Sequence, residues 1–225
     1  TQDLDDSMDV PEPPDLDGPE SSDSREADPS DETFTEESPE ERTETEEGLH
    51  EQREEGQDFD ALTDRQIEES ITDLQGIKDL DPQYWERLNE TERLEALQSV
   101  EDRMAAIQGR SPVPIRTEPM GPGEFGGYSR EEGITLNERH LSTEDVREMV
   151  DTIVHEGRHA YQDQVLQNPS SIDDRKLVEA WIENWDNYHT AEMVGYEAYV
   201  NQPIERDAWD YSERVVSALF DLGGD

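Results

Sequence analysis

The sequence predicts an α-rich α+β domain over residues 61–225, preceded by a disordered acidic tail over residues 1–60. Three observations carry this. Composition changes near residue 60, because the first stretch holds 25 Asp and Glu, 3 Arg and few aliphatic or aromatic side chains. Beyond it, apolar residues recur at three- and four-residue spacing behind capping residues, the mark of amphipathic helices. One short stretch, GGYSREEGITLN at 126–137, breaks that period and reads as two strands around a turn near Glu131, Glu132 and Gly133.

The 225 residues carry 61 acidic and 18 basic side chains, a formal net charge of −43. The tail is too poor in apolar surface to offset the entropy of ordering. Residues 61–225 have the length of one domain, enough to bury roughly two-thirds of the unfolded chain's surface. So acidic a chain repels phosphate backbones, which argues against a nucleic-acid partner. No run of 18 apolar residues and no h-region of a signal peptide is present, so neither a membrane span nor a leader is expected. The chain has no Cys, and a metal site would therefore have to use His and carboxylate.

From Ala61 onward the helices declare themselves in turn. Thr63 with Gln66 resembles a capping box, and Ile67, Ile71 and Leu74 share one face. Asp81-Pro82 sets an N-cap and first turn before Tyr84, Trp85 and Leu88. Asn89 with Glu92 opens the next helix, whose Leu94, Leu97, Val100, Met104 and Ile107 run until Gly109. Residues 61–110 thus read as packing helices and 111–225 as the functional core. SPVPIRTEPMGPG at 111–123, rich in Pro and Gly, reads as the boundary between them.

After the hairpin, in which Ile134 and Leu136 share a face, Ser142 and Asp145 make a box-like helix start. Val146, Met149, Val150, Ile153, Val154 and Val165 then trace an apolar stripe, until Asn168-Pro169-Ser170-Ser171 ends the helix. A further helical region is expected from Asp173 through Trp181, Trp185, Tyr188 and Tyr199. Pro203 suits the first turn of a last helix with Ala208, Tyr211, Val215, Leu219 and Phe220 on one face.

Beside the apolar stripe stands HEGRH, residues 155–159. With 5 His in the chain, His-Glu-x-x-His arises by chance about 0.02 times in a sequence of this composition. Residues i and i+4 stack on one helical face, so both imidazoles can reach one ion. Glu156 points to the same side and can deprotonate a water whose pKa the metal has lowered. Gly157 costs roughly 1 kcal/mol in a helix interior, and is tolerated where another element packs closely. The competing reading is two solvated histidines beside a core-facing stripe.

Two histidines leave a metal under-held. The extended pattern that would supply a third His is absent, with Gln162 and Val165 at its Gly and His positions. Glu179, Glu183, His189, Glu192, Glu197 and Glu205 remain as candidates. Spacing does not choose among them, and Glu205, near N3 of the last helix, also suits a carboxylate that serves the helix terminus.

HEGRHAYQ, followed some 45 residues later by Glu205-x-x-Ala208-x-x-Tyr211, resembles the pattern of the small gluzincin metallopeptidases. The resemblance extends over about residues 84–222. The hairpin GGYSREEGITLN is similar to the edge strand those enzymes place over the cleft, and YWERLNETERLEALQSVEDRMAAIQGR to helices preceding the HExxH domains of bacterial polymorphic toxins and secreted effectors. It implies a zincin-like fold and a Zn2+ ion held by His155, His159 and Glu205, with Glu192 second to Glu205. It also implies Glu156 as general base, peptide-bond hydrolysis in a protein or peptide substrate, export or delivery from a bacterial cell, and an inhibitor or immunity partner.

His189, Tyr196 and Tyr199 lie between the ligand segments and are candidate donors to a developing oxyanion. Gly127 and Tyr128 belong to the strand that would pair with an extended substrate. Trp181, Trp185 and Trp209 read most simply as core residues. The acidic surface hints at a basic substrate. The alternative is a non-catalytic binding protein, either an inactive zincin scaffold or an acidic tail that docks on, or mimics nucleic acid for, a basic partner.

Overall fold

The computed structural model describes residues 59–221, apart from residues 122 and 144. The expected tail lies outside the described residues except for Phe59 and Asp60, which open the first helix. The elements run α1 (Phe59–Leu74), a 3-10 turn (Lys78–Leu80), α2 (Pro82–Trp85), α3 (Glu90–Gln108), β1 (Ile115–Glu118), β2 (Gly126–Ser129) and β3 (Gly133–Asn137). They continue as α4 (Glu138–Thr143), α5 (Val146–Gln167), α6 (Arg175–Asp186), α7 (Ala191–Val194), α8 (Tyr196–Val200) and α9 (Pro203–Phe220). The domain is α-rich α+β.

Local chemistry sets most helix ends. Asp81 accepts from the Gln83 amide at 2.8 Å ahead of Pro82. Asn89 and Glu92 form both halves of a capping box, at 3.1 and 2.9 Å. Gly109 closes α3 in the left-handed region at φ 70°. Each of the two N-caps contributes about 1 kcal/mol. Two expected starts fall elsewhere. Thr63 and Gln66 lie inside α1, buried, where they receive a guanidinium rather than cap a helix. Ser142 sits in α4, and Asp145 alone caps α5 by accepting from the Glu148 amide.

Helix α5 is the centre of the domain. Its Met149, Val150, Ile153 and Val154 are wholly buried against Leu97, Val100 and Met104 of α3, Tyr211 and Val215 of α9, and Ile134 and Leu136 of β3. Each such aliphatic contributes roughly 1.5–3 kcal/mol by leaving water. A second apolar cluster joins Phe59, Tyr161, Val165, Trp181 and Ile204, and holds α6 to the end of α5.

The sheet has the order β1-β3-β2. β2 and β3 form the expected hairpin, antiparallel with Tyr128 opposite Ile134. β1 arises inside the stretch read as a boundary and pairs parallel to β3, with Ile115 opposite Ile134. Its signal is weak because prolines flank it and a single short strand shows little alternation. What holds it comes from far away: the Gln98 side chain accepts from the Ile115 amide, and Glu101 accepts from the Val113 amide. Gly133 turns the hairpin at φ +79°, and a Cβ there would lie 2.4 Å from the Pro114 carbonyl oxygen, so no other residue fits.

The expected long helical region after Asp173 divides. α6 ends at Asp186, and residues 187–202 form a loop with two one-turn helices, neither of which has a buried residue. Gly195, at φ +83°, separates those two turns. Without an apolar face to bury, the period that drives α5 and α9 is missing here.

Candidate metal centre and cleft

α5 turns His155 and His159 onto the same side one turn apart, and their Nε2 atoms are 3.2 Å from each other. Glu205 is the third residue of α9, after Pro203 at its first position. Its carboxylate is directed across to α5 rather than back to the helix terminus. Oε2 lies 3.4 Å from His155 Nε2, and Oε1 lies 3.5 Å from His159 Nε2. All three residues are buried, Glu205 at 0 % exposure. They could hold a metal ion.

The residues fit such an ion. Bonds of about 2.0–2.1 Å at tetrahedral angles place ligand atoms about 3.3 Å apart. The two Nε2 atoms are 3.2 Å apart, and each has one oxygen of the Glu205 carboxylate close by, Oε2 at 3.4 Å from His155 and Oε1 at 3.5 Å from His159. Glu205 Oε2 and His155 Nδ1 are buried with no hydrogen-bond partner among the described residues. A cation between the nitrogens and the carboxylate would compensate the buried Oε2, which otherwise bears an uncompensated desolvation cost.

Electrostatics within the site are polarised. Burial pushes the Glu205 carboxyl up, but the adjacent His155 and His159 imidazoles and the Tyr188 hydroxyl outweigh it and bring it to about 2. Tyr188 donates to Glu205 Oε1 at 2.5 Å. Burial raises the Glu156 carboxyl to about 7, with His159 and a bond from the Tyr128 backbone N–H opposing the rise and the nearby Glu205 adding to it. Two carboxylates in one site are thus driven in opposite directions, Glu205 below its ordinary value and Glu156 above it.

A cleft of about 340 Å³ opens beside the histidines. One wall is the edge strand β2, through Gly126, Gly127 and Tyr128; the floor carries Glu156 and His159; Trp185, Tyr188, Tyr199 and Ile204 complete the lining. β2 is pinned across α5. The Tyr128 hydroxyl donates to Asp163 at 3.0 Å, and Arg130 forks onto the same carboxylate. A Cβ at Gly126 would lie 2.9 Å from the Thr135 carbonyl oxygen and 3.1 Å from Thr152, whereas one at Gly127 would meet open space.

Of the residues singled out in the sequence, His155, Glu156, His159, Glu205, Gly127, Tyr128 and Tyr199 come together here. Glu179, Glu183, Glu192 and Glu197 are exposed and stand outside the His-His-Glu group. His189 is exposed, with its backbone N–H and C=O bound by Gln202, and Tyr196 is 67 % exposed; neither lines the cleft. Trp181 is core, but Trp185 lines the cleft and Trp209 lies over the His155 ring at 4.5 Å between centroids.

Sequence reasoning missed Tyr188, Gln162, Arg158 and Asp207. Gln162 sits three residues after His159 on the same face, and its Oε1 is 2.8 Å from His159 Nδ1. Arg158, the fourth residue of HEGRH, is wholly buried and forks onto Asp207 at 2.8 and 3.0 Å. Its guanidinium lies among the rings of Phe59, Tyr161 and Tyr211. The i, i+3 spacing of Gln162 was a readable signal; nothing local pointed to the others.

No protein-family model, no curated protein and no solved structure matches the chain. Among the described residues, no helix is long and apolar enough to cross a membrane.

Proposed function

We propose that the protein is a zinc-dependent metallopeptidase that hydrolyses peptide bonds in a protein or peptide substrate, acting as an exported or delivered effector domain. The observation that carries this reading is the meeting of two buried imidazole Nε2 atoms, 3.2 Å apart, with the buried Glu205 carboxylate, whose Oε2 lies 3.4 Å from His155 and whose Oε1 lies 3.5 Å from His159, 46 residues earlier in the chain. The N, N, O donor set with Glu156 beside it supports this reading, because hydrolytic zinc sites use three protein ligands of these types. Bound there, zinc supplies a Lewis acid that polarises a scissile carbonyl and lowers the pKa of water.

The chain's own groups do the rest. Glu156, held near neutral pKa by burial, accepts a proton from the attacking water and returns it to the leaving amine, so one group serves as base and then as acid. Tyr199 is kept protonated by burial and lines the cleft, where its hydroxyl is a donor for the developing oxyanion. Gly127, with space above it, lets an extended substrate backbone approach the free edge of β2. The effector role rests on the sequence resemblance alone.

The test is cleavage of a denatured protein library by the full chain beside Glu156→Gln. The variant keeps every zinc ligand, so it is expected to bind zinc like the wild type and lose cleavage. Equal cleavage by both would overturn the assignment of Glu156, and no cleavage by the zinc-loaded wild type would overturn peptidase activity.

A further inference from the structure

Gln162 has all its polar atoms committed. Its Nε2 donates both protons, one to the Ile204 carbonyl at 2.9 Å and one to Asp207 Oδ2 at 2.7 Å. Both partners accept here, because the Ile204 carbonyl has no proton to give and both Asp207 oxygens already accept from the Arg158 fork. The amide therefore cannot flip, and the atom facing His159 Nδ1 at 2.8 Å must be the carbonyl oxygen Oε1. An oxygen that only accepts requires a proton on Nδ1. The other ring nitrogen of a neutral His159, Nε2, then carries a bare lone pair, and it faces His155 Nε2 and Glu205.

From this geometry we infer that Gln162 is a positioning residue, which locks His159 in the Nδ1–H tautomer and ties the helix of the two histidines to the helix of Glu205. The chain of contacts starts at Arg158, passes through Asp207 to Gln162 and ends on His159, so it leaves α5, crosses to α9 and returns one turn away. Its anchor points on α9, Ile204 and Asp207, flank Glu205 on either side in sequence. The same amide that orients one ligand thus sets the distance to another. His155 has no counterpart among the described residues: its Nδ1 is buried there without a partner, and the Trp209 ring lies against the imidazole instead.

The inference deepens the metal-site reading, but its first test does not depend on it. The ring nitrogens of a histidine report their tautomer in long-range 1H–15N correlation spectra, and the metal-free full chain suffices. His159 is expected in the Nδ1–H form in the wild type, and as a tautomer mixture in Gln162→Met, which keeps the length and removes every polar atom. An Nε2–H wild type, or a tautomer ratio unchanged in the variant, would overturn the inference whether or not the protein binds zinc.

The second readout is zinc affinity by competition with a chromophoric chelator. Loss of an outer-sphere partner weakens binding by about 10–100-fold, which is the fall expected for Gln162→Met. Gln162→Glu separates the two roles: it keeps an acceptor towards His159, so the Nδ1–H tautomer persists, but it sets a carboxylate against Asp207 and loosens α9. Wild-type affinity in Gln162→Met, with its fold intact by circular dichroism, would contradict the positioning role. A wild type that binds no zinc would instead remove the metallopeptidase reading and leave the tautomer result standing.

Discussion

Gly157→Ala sets helix propensity against packing. In an exposed helix interior, alanine in place of glycine stabilises by about 1 kcal/mol. Here the new Cβ would lie 3.0 Å from Glu101 Oε2 and 3.1 Å from Arg110 Nη2. Neither atom can withdraw cheaply. The pair is buried, at 2 % and 0 % side-chain exposure, and its members are 2.5 and 2.8 Å apart along the two forks. Glu101 Oε1 also accepts from the Val113 amide at 2.9 Å, and Arg110 Nε donates to Gln108 at 2.7 Å. Overpacking against a locked neighbour costs about 1–3 kcal/mol. The packing cost exceeds the propensity gain, and the expected net loss is about 1 kcal/mol. Urea unfolding followed by circular dichroism measures it as a lower midpoint at unchanged slope. A midpoint equal to or above the wild type would refute the reasoning, because it would mean that the ion pair behind the motif is free to yield.

Arg158→Met should destabilise by about 3 kcal/mol in the same assay, since it strips Asp207 of its fork while leaving the carboxylate half-buried; a loss below about 1 kcal/mol would show that the guanidinium is replaceable. Asp163 supplies a pH dependence. Burial pushes its carboxyl up, but Arg130 and the Tyr128 hydroxyl outweigh this and hold it below the ordinary value. A carboxyl depressed on folding contributes stability that is present above the unfolded value of about 3.9 and is lost as pH falls through the folded one. Asp163→Asn should therefore reduce stability at neutral pH and flatten its decline below about pH 4; an unchanged acid slope would contradict the Arg130–Asp163–Tyr128 arrangement. Zinc binding should raise folding stability by about 2.7 kcal/mol at a hundredfold excess over Kd, with the rise abolished by a chelator and absent in Glu205→Gln; a wild type whose melting temperature ignores zinc would contradict the site.

What could be read in the sequence follows the range of the interaction that decides it. HEGRH was legible because two turns of one helix contain the whole constraint. Asp81, the Asn89–Glu92 box and Gly109 were legible because a cap acts on its own neighbours. Thr63 and Gln66 misled for the same reason, since residue types that cap helices also solvate a buried guanidinium, and Arg158 is far away in the chain. β1 escaped notice because its partners are Gln98, Glu101 and a strand later in the sequence.

The site divides along the same line. Composition and spacing left six candidates for the third ligand, and only resemblance favoured Glu205; of the six, folding brings Glu205 alone to the two histidines, by setting α9 against α5. Tyr188 had no signal at all. It lies in a loop with no period, and its hydroxyl reaches Glu205 from a segment whose neighbouring His189 backbone is bound by Gln202.

The central claim is that His155, His159 and Glu205 hold one zinc ion. Elemental analysis of the dialysed full chain tests it most directly, with wild type, His159→Ala and Glu205→Ala side by side. One zinc per chain in the wild type and none in either variant is the predicted result. A wild type that holds no zinc even after reconstitution, or a Glu205→Ala variant that keeps its full complement, would contradict it.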